Sequence, residues 1–219
     1  MPQAAVLNLR GEEVCQVELA PALFDVEPNL DLMHQALLYI ENQRAHPRGI
    51  TRTRSEICHS GNKMFRQKGT GRARHGDRSA STFVGGAKAH GPKGARRSLR
   101  MPKKMRRQAV AGALTAQYRK GLVRFVNDLR PAEINTRVMA EALESLRCSR
   151  GKVIAIVGPA EYYDESLCRS THNLPRFTLR AAPHFNLRDL LVADHIIVTQ
   201  GALALLAPGG EADAEHGAV

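Results

Sequence analysis

Lys152-Val153-Ile154-Ala155-Ile156-Val157-Gly158-Pro159 decides the fold class. Five consecutive apolar residues, four of them β-branched, leave no position for a wet face, so 153–157 reads as a strand buried on both sides, as in parallel sheets covered by helices. Gly158-Pro159 then ends the strand. α/β folds often bind ligands at such a turn, but the simpler reading is a plain strand-to-helix connection. Before the run, Val138, Met139, Ala142 and Leu146 recur at helical spacing, and 122–126 reads as another strand. After it come a helix over 165–173, a strand at 176–179, a short helix near 187–191, a strand at 195–199 and a short helix at 202–206. This alternation predicts an α/β domain with a mostly parallel sheet flanked by helices.

Farther out, 6–9 and 14–17 flank the turn Arg10-Gly11-Glu12 and predict a β-hairpin. Met33, Ala36, Leu37 and Ile40 mark a helix after Pro28-Asn29; Val110, Ala113, Leu114 and Tyr118 mark another, running from Met101-Pro102 to Gly121. Between these helices the periodicity stops. Residues 44–107 hold 19 of the chain's 32 Lys and Arg residues and two acids, Glu56 and Asp77, so the net charge of +11 is made locally. They also hold nine of the eighteen glycines and only six residues from Leu, Ile, Val and Phe, too little apolar surface to offset the ordering of their backbone. Such a segment is disordered alone or ordered by a polyanion. The expected organisation is a globular α/β domain from 1–43 and 108–207, a long extended basic loop over 44–107, and a flexible tail at 208–219. The 155 residues outside the loop are an ordinary single-domain size.

A loop of this length is usually functional or disordered, and its charge density is the signature of nucleic acid. Arg66, Lys68, Arg72 and Arg74 alternate with Gly69, Gly71 and Gly76, which lets guanidinium groups and backbone approach phosphates closely. Arg52, Arg54, Lys63, Arg78, Lys93, Arg96 and Arg97 extend the basic surface. Phe65, His75, Phe83 and His90 supply planes on which unstacked bases could lie, which suits irregular RNA better than duplex DNA. Lys103, Lys104, Arg106 and Arg107 stand in the first turns of a helix, where the dipole disfavours cations unless an anion is bound. That cluster is expected to be a phosphate site.

Other chemistries find little support. The N-terminus lacks the pattern of a signal or transit peptide, and no apolar run approaches the ~18 residues needed to span a bilayer, so a cytosolic protein is expected. Cys15, Cys58, Cys148 and Cys168 are widely spaced and read as reduced thiols. Gly69-Thr70-Gly71 lacks the context of a dinucleotide fingerprint, and Lys93 has no Ser or Thr after it as a P-loop requires. Cys58-His59 lies in a polar loop unsuited to nucleophile chemistry, and His172, His184 and His195 show no metal spacing. No metal, cofactor, small-molecule substrate or membrane is expected. The rivals on residues alone are an α/β RNA-modifying enzyme with a basic arm and a free nucleic-acid-binding regulator.

The run Arg66-Gln67-Lys68-Gly69-Thr70-Gly71-Arg72-Ala73-Arg74, followed by Arg78-Ser79, Gly85-Gly86, Gly91-Pro92-Lys93, Pro102-Lys103-Lys104 and Arg106-Arg107, closely resembles the bacterial ribosomal large-subunit protein four family. The resemblance covers the chain to about Leu206. It implies a non-catalytic constituent of the large (50S) subunit, cytoplasmic and on the ribosome, with a Rossmann-like four-stranded domain and a loop that penetrates and stabilises folded 23S rRNA and aids subunit assembly. It further implies that Arg66, Gln67, Lys68, Gly69, Thr70, Gly71 and Arg72 lie at the peptide exit tunnel constriction, near ribosomal protein twenty-two and the nascent peptide. The chain departs from the family pattern at Met64-Phe65, where Pro-Trp is usual, at Ala80 in place of Pro, and at Ala87 in place of a third Gly. Ala87 bears on loop geometry, because a positive φ there would strain its Cβ.

Overall fold

Both faces of the run 153–157 are covered, and the rest of the globular part follows from covering them. The computed structural model describes residues 2–45, 49–94, 99–131, 133–182 and 184–206; Arg96, Arg97 and the expected tail at 208–219 lie outside them. The elements in chain order are β1 (Gln3–Leu7), β2 (Glu13–Glu18), α1 (Pro21–Phe24), α2 (Leu30–Arg44), α3 (Lys103–Arg119), β3 (Val123–Val126), α4 (Thr136–Ser145), β4 (Val153–Val157), α5 (Pro159–Tyr162), α6 (Glu165–His172), β5 (Phe177–Ala181), α7 (Leu187–Val192), β6 (His195–Thr199) and α8 (Gln200–Leu206).

The sheet has six strands in the order β2-β1-β3-β6-β4-β5. The four strands expected from the sequence, β3, β6, β4 and β5, are parallel neighbours, with pairs such as Phe125↔Val198, Ala155↔Ile197 and Ala155↔Leu179. The four-stranded expectation is nonetheless wrong, because the N-terminal hairpin joins the same sheet. Its strand β1 runs parallel to β3 through Val6↔Phe125 and Leu7↔Val126, and β2 forms the antiparallel edge. The physical reason is burial: Val6 is fully enclosed in the same apolar cluster as Phe125, which the hairpin completes.

Pleat alternation divides the sheet's side chains between two clusters. Ile154, Ile156, Ile196, Val198, Val123 and Phe125 pack with Ala109, Ala113 and Leu114 of α3 and Leu187 and Leu190 of α7. Val153, Ala155, Val157, Ile197 and Val126 pack with Met139, Ala142 and Leu143 of α4 and Leu167 of α6. This two-sided burial is why β4 reads as a continuous apolar run. Two helices, α4 and α6, start where a side chain caps them: the Asn135 Oδ1 accepts from the Arg137 amide at 2.9 Å and the Asp164 Oδ1 from the Ser166 amide at 3.0 Å. Small residues line the buried side of α3 and let it lie close, and Gln117 donates from Nε2 to the Leu190 carbonyl at 3.1 Å.

At the carboxyl ends of β4 and β6, where a ligand crevice would open, the Glu161 carboxylate fills the space. Its Oε2 accepts from the Thr199 hydroxyl at 2.6 Å and from the Gly158 amide at 3.3 Å. Gly158-Pro159 is therefore a turn into α5. The chain divides into two compact units, Met1–Glu41 with Arg100–Val219, and Asn42–Leu99.

Ile197, fully buried on the central strand β6, gives a direct test of this core. Ile197→Ala should lower unfolding free energy by ~2–5 kcal/mol, read by chemical denaturation; a loss well under ~1 kcal/mol would mean that β6 is not central.

Candidate nucleic-acid interface

Among the described residues of 42–99 there is neither helix nor strand beyond the end of α2, so their order rests on individual contacts. The two limbs meet at an isolated antiparallel bridge between Ile50 and Lys93, beside which the Thr51 amide and hydroxyl both donate to the Pro92 carbonyl, at 2.9 and 3.2 Å. Nearer the unit's boundary, the Leu99 amide donates to Asn42 Oδ1 at 3.2 Å. Between these points the Met64 amide donates to the Gly76 carbonyl at 3.0 Å and closes a tip over 65–75. Within the tip, Arg66 donates from Nη2 to the Gly69 carbonyl at 3.1 Å, and Gly71 takes φ +62°, a left-handed value that a Cβ would strain.

The neck of the tip is organised by Asp77, one of the few buried polar residues of the described chain. Its Oδ2 accepts from the Ser79 hydroxyl and lies 2.8 Å from His59 Nδ1, while Oδ1 accepts from the Ser79 amide at 3.2 Å. Ser79's hydroxyl bond is the largest of the influences that hold the Asp77 carboxyl below the usual carboxylate range; the Ser79 amide and the charges of His59 and Arg54 act in the same direction, against desolvation. Glu56, the unit's other acid, is lowered chiefly by the Thr53 amide, which donates to its Oε2 at 2.8 Å. The turn continues as the Ala87 amide donates to the Ser79 carbonyl at 2.9 Å. A Cβ at Gly86 would stand 2.1 Å from the Ala80 carbonyl oxygen, so only glycine fits there. Ala87 is buried and does not have a positive φ, so its departure from the family pattern carries no backbone strain.

The expected stacking residues do not stand free. Phe65 and His75 meet edge to face with centroids 6.0 Å apart, and His75 and Phe83 do so at 4.9 Å; all three are half-buried, whereas His90 is exposed. The expected cations do point outward: Arg52, Arg54, Lys63, Arg66, Lys68, Arg72, Arg74, Arg78 and Lys93 are all exposed. Lys63 reaches Gln67 Oε1, still within the tip's neighbourhood. In the other unit, Lys103, Lys104 and Arg107 are exposed on the first turns of α3, whose N-cap, Pro102, supplies no side-chain cap. Arg106 lies over the Tyr39 ring, 5.5 Å from its centroid, with its Nε enclosed and without a hydrogen-bond partner.

Among the described residues no group of three or more His, Cys, Asp or Glu could hold a metal ion, and no helix is long and apolar enough to cross a membrane. Burial pushes the Cys148 thiol up, away from nucleophile chemistry.

A family model described as the ribosomal protein L4/L1 family matches residues 17–208. The chain belongs to that family. Its relatives include the large ribosomal subunit protein uL4 of Mycobacterium sp. (strain KMS), 40% identical over 190 residues that make up 85% of this chain and 84% of the relative. The protein of the same name from Natranaerobius thermophilus is 32% identical over 206 residues, 94% and 98% of the two chains, and that of Heliobacterium modesticaldum 34% identical over 206 residues, 93% and 97%.

Composition pointed to the cations but missed the contacts around Asp77 and beneath Arg106. His59, Asp77 and Ser79 carry no motif beyond the Asp-x-Ser spacing of an Asx turn, and Tyr39 reads only as helix surface. Because the Asp77 pKa is depressed on folding, its contribution to loop order is full above the ordinary carboxylate value of about 3.9 and is lost as pH falls below it. Amide exchange at Ser79 and Ala87, corrected for intrinsic rates, should therefore be equally protected at pH 7 and pH 5 and lose protection toward pH 2; loss already at pH 5 would contradict this geometry.

Proposed function

We propose that this chain is a structural constituent of the bacterial large ribosomal subunit, and that 42–99 together with the start of α3 binds its 23S rRNA. The observation that carries the reading is the outward display of eleven exposed cations, among the described residues, on a unit whose buried acid, Asp77, is turned onto its own Ser79 and His59. Such a surface meets phosphates without needing a particular base sequence. The expected phosphate site at Lys103, Lys104, Arg106 and Arg107 adds free helix-start amides to four cations. Membership of the L4/L1 family supports the assignment.

The protein acts in the cytoplasm, on the ribosome, and is not an enzyme. By the same family resemblance, the segment 66–72 approaches the wall of the peptide exit tunnel, near ribosomal protein twenty-two and the nascent peptide. The domain division follows the charge: 1–43 and 108–207 hold the fold on the subunit surface, and 44–107 enters the RNA. The positive φ at Gly71 supports a sharply turned, narrow tip that could pass between RNA segments. Arg96 and Arg97 belong to the same basic surface by sequence, and the flat faces of Phe65, His75, Phe83 and His90 suit contact with bases where RNA is irregular.

If roughly six to ten cations meet phosphates, affinity for 23S rRNA should fall by two or more orders of magnitude between ~50 and ~200 mM salt. Replacing Lys103, Lys104, Arg106 and Arg107 together by Ala should flatten the log Kd against log salt slope by about three. A salt-independent affinity in the wild type, or an unchanged slope in the quadruple variant, would contradict the reading.

A further inference from the structure

Asp77 is a carboxylate inside a segment whose charges, Glu56 apart, are otherwise cations suited to phosphates, and by charge alone it repels the RNA that the proposed function requires. Its position explains its presence. Asp77 follows Gly76, whose carbonyl closes the tip onto the Met64 amide at 3.0 Å, and it is directed inward, not toward solvent. On the outgoing limb, His59 Nδ1 lies 2.8 Å from Asp77 Oδ2 and is held in place by the Gly61 amide, which donates to it at 3.0 Å; on the returning side, Ser79 holds both carboxylate oxygens and passes the order on to the Ala87 amide at 2.9 Å. His75, the last residue of the tip, packs edge to face against Phe65 at its start and Phe83 behind it. The carboxylate thus joins the two limbs at the point where the tip begins and ends.

We propose that His59 and Asp77 are positioning residues: their pairing, backed by Ser79, clasps the neck of the 65–75 tip so that Arg66, Lys68, Arg72 and Arg74 are presented to rRNA in one arrangement. The inference rests on the rRNA-binding reading and deepens it. Between like-charged limbs that repel each other, the clasp restricts the conformations of the tip before the ligand arrives. Ordering cost that would otherwise weaken binding is reduced in advance.

The proposal and simple charge counting predict opposite signs. Asp77→Asn removes an anion from an RNA-binding surface and on charge alone should tighten binding. Loss of the clasp should weaken it. The experiment uses the full chain and refolded, protein-free 23S rRNA at fixed salt, with amide hydrogen exchange of the free chain alongside. Asp77→Asn and His59→Ala are each expected to weaken binding by roughly tenfold, the scale of a lost, partly buried ion contact. The double variant should be no weaker than either single one, since the two residues act as one unit. Exchange over 65–75 should accelerate in all three, while the melting temperature of the sheet domain and the salt slope stay at wild-type values. Exchanging the pair, His59→Asp with Asp77→His, should recover part of the affinity, which a general loss of structure would not allow.

Equal or tighter binding by Asp77→Asn, or single losses that add in the double variant, would overturn the clasp. Should the wild type fail to bind 23S rRNA, the functional reading itself would fall. Hydrogen exchange would still decide the clasp, because unchanged exchange over 65–75 in Asp77→Asn overturns it without reference to RNA.

Discussion

Mutual repulsion among cations is the constraint on which the basic unit depends. Residues 42–99 carry fourteen Lys and Arg residues against Glu56 and Asp77, on a chain length that offers very little apolar surface. Two exposed charges about 10 Å apart in water repel by only ~0.4 kcal/mol, yet a cluster of this size contains dozens of such pairs, and no core burial opposes them. Few arrangements meet that condition. The described cations face outward, regular elements are absent from the described part beyond α2, and the contacts that do form there are local turns, short pairings of the limbs, the packed rings of Phe65, His75 and Phe83, and the inward carboxylate of Asp77. A polyanion wound around the unit would turn the same repulsion into attraction, so the feature that makes the segment a poor independent fold suits it to the RNA-binding role proposed for it.

The sheet unit is built on the opposite principle. Its central strands are covered on both faces, the alternation of Ile154 and Ile156 against Val153, Ala155 and Val157 assigning each side chain to one of two clusters. The position at which α/β sheets most often hold a ligand is occupied by Glu161, bonded to Thr199 and to the Gly158 amide. This unit thus spends its polar groups on its own closure, in keeping with a scaffold. On the proposed function, the recognition chemistry lies in the basic unit and in the first turns of α3.

Much of the sheet was legible in the sequence because periodicity and burial leave local traces. VIAIV could only be a strand buried on both sides, and the other three parallel strands followed from alternation with helices. The hairpin's place in the sheet was not legible: the pairing of Val6 with Phe125 joins residues far apart in sequence, and nothing local to either strand specifies it. The one-turn helices α1 and α5 were too short for any period to register. For the interface, charge density showed which residues to suspect. The contact of His59 with Asp77 was not legible because a lone acid and a lone histidine, on different limbs of a loop without periodicity, have no pattern to recognise before the chain is folded. The rings of Phe65, His75 and Phe83 likewise looked like separate platforms and are found packed against one another.

The central claim is that 23S rRNA is the counterion of the basic unit. It is tested most directly by ultraviolet crosslinking of intact large subunits containing this chain, with the crosslinked peptides identified by mass spectrometry and the partner nucleotides mapped. The account predicts crosslinks concentrated in peptides from 52–93 and from the start of α3, to 23S rRNA segments that are irregular in secondary structure. Crosslinks confined to the sheet unit, with the 52–93 peptides recovered unmodified and accessible to trypsin in the intact subunit, would contradict it.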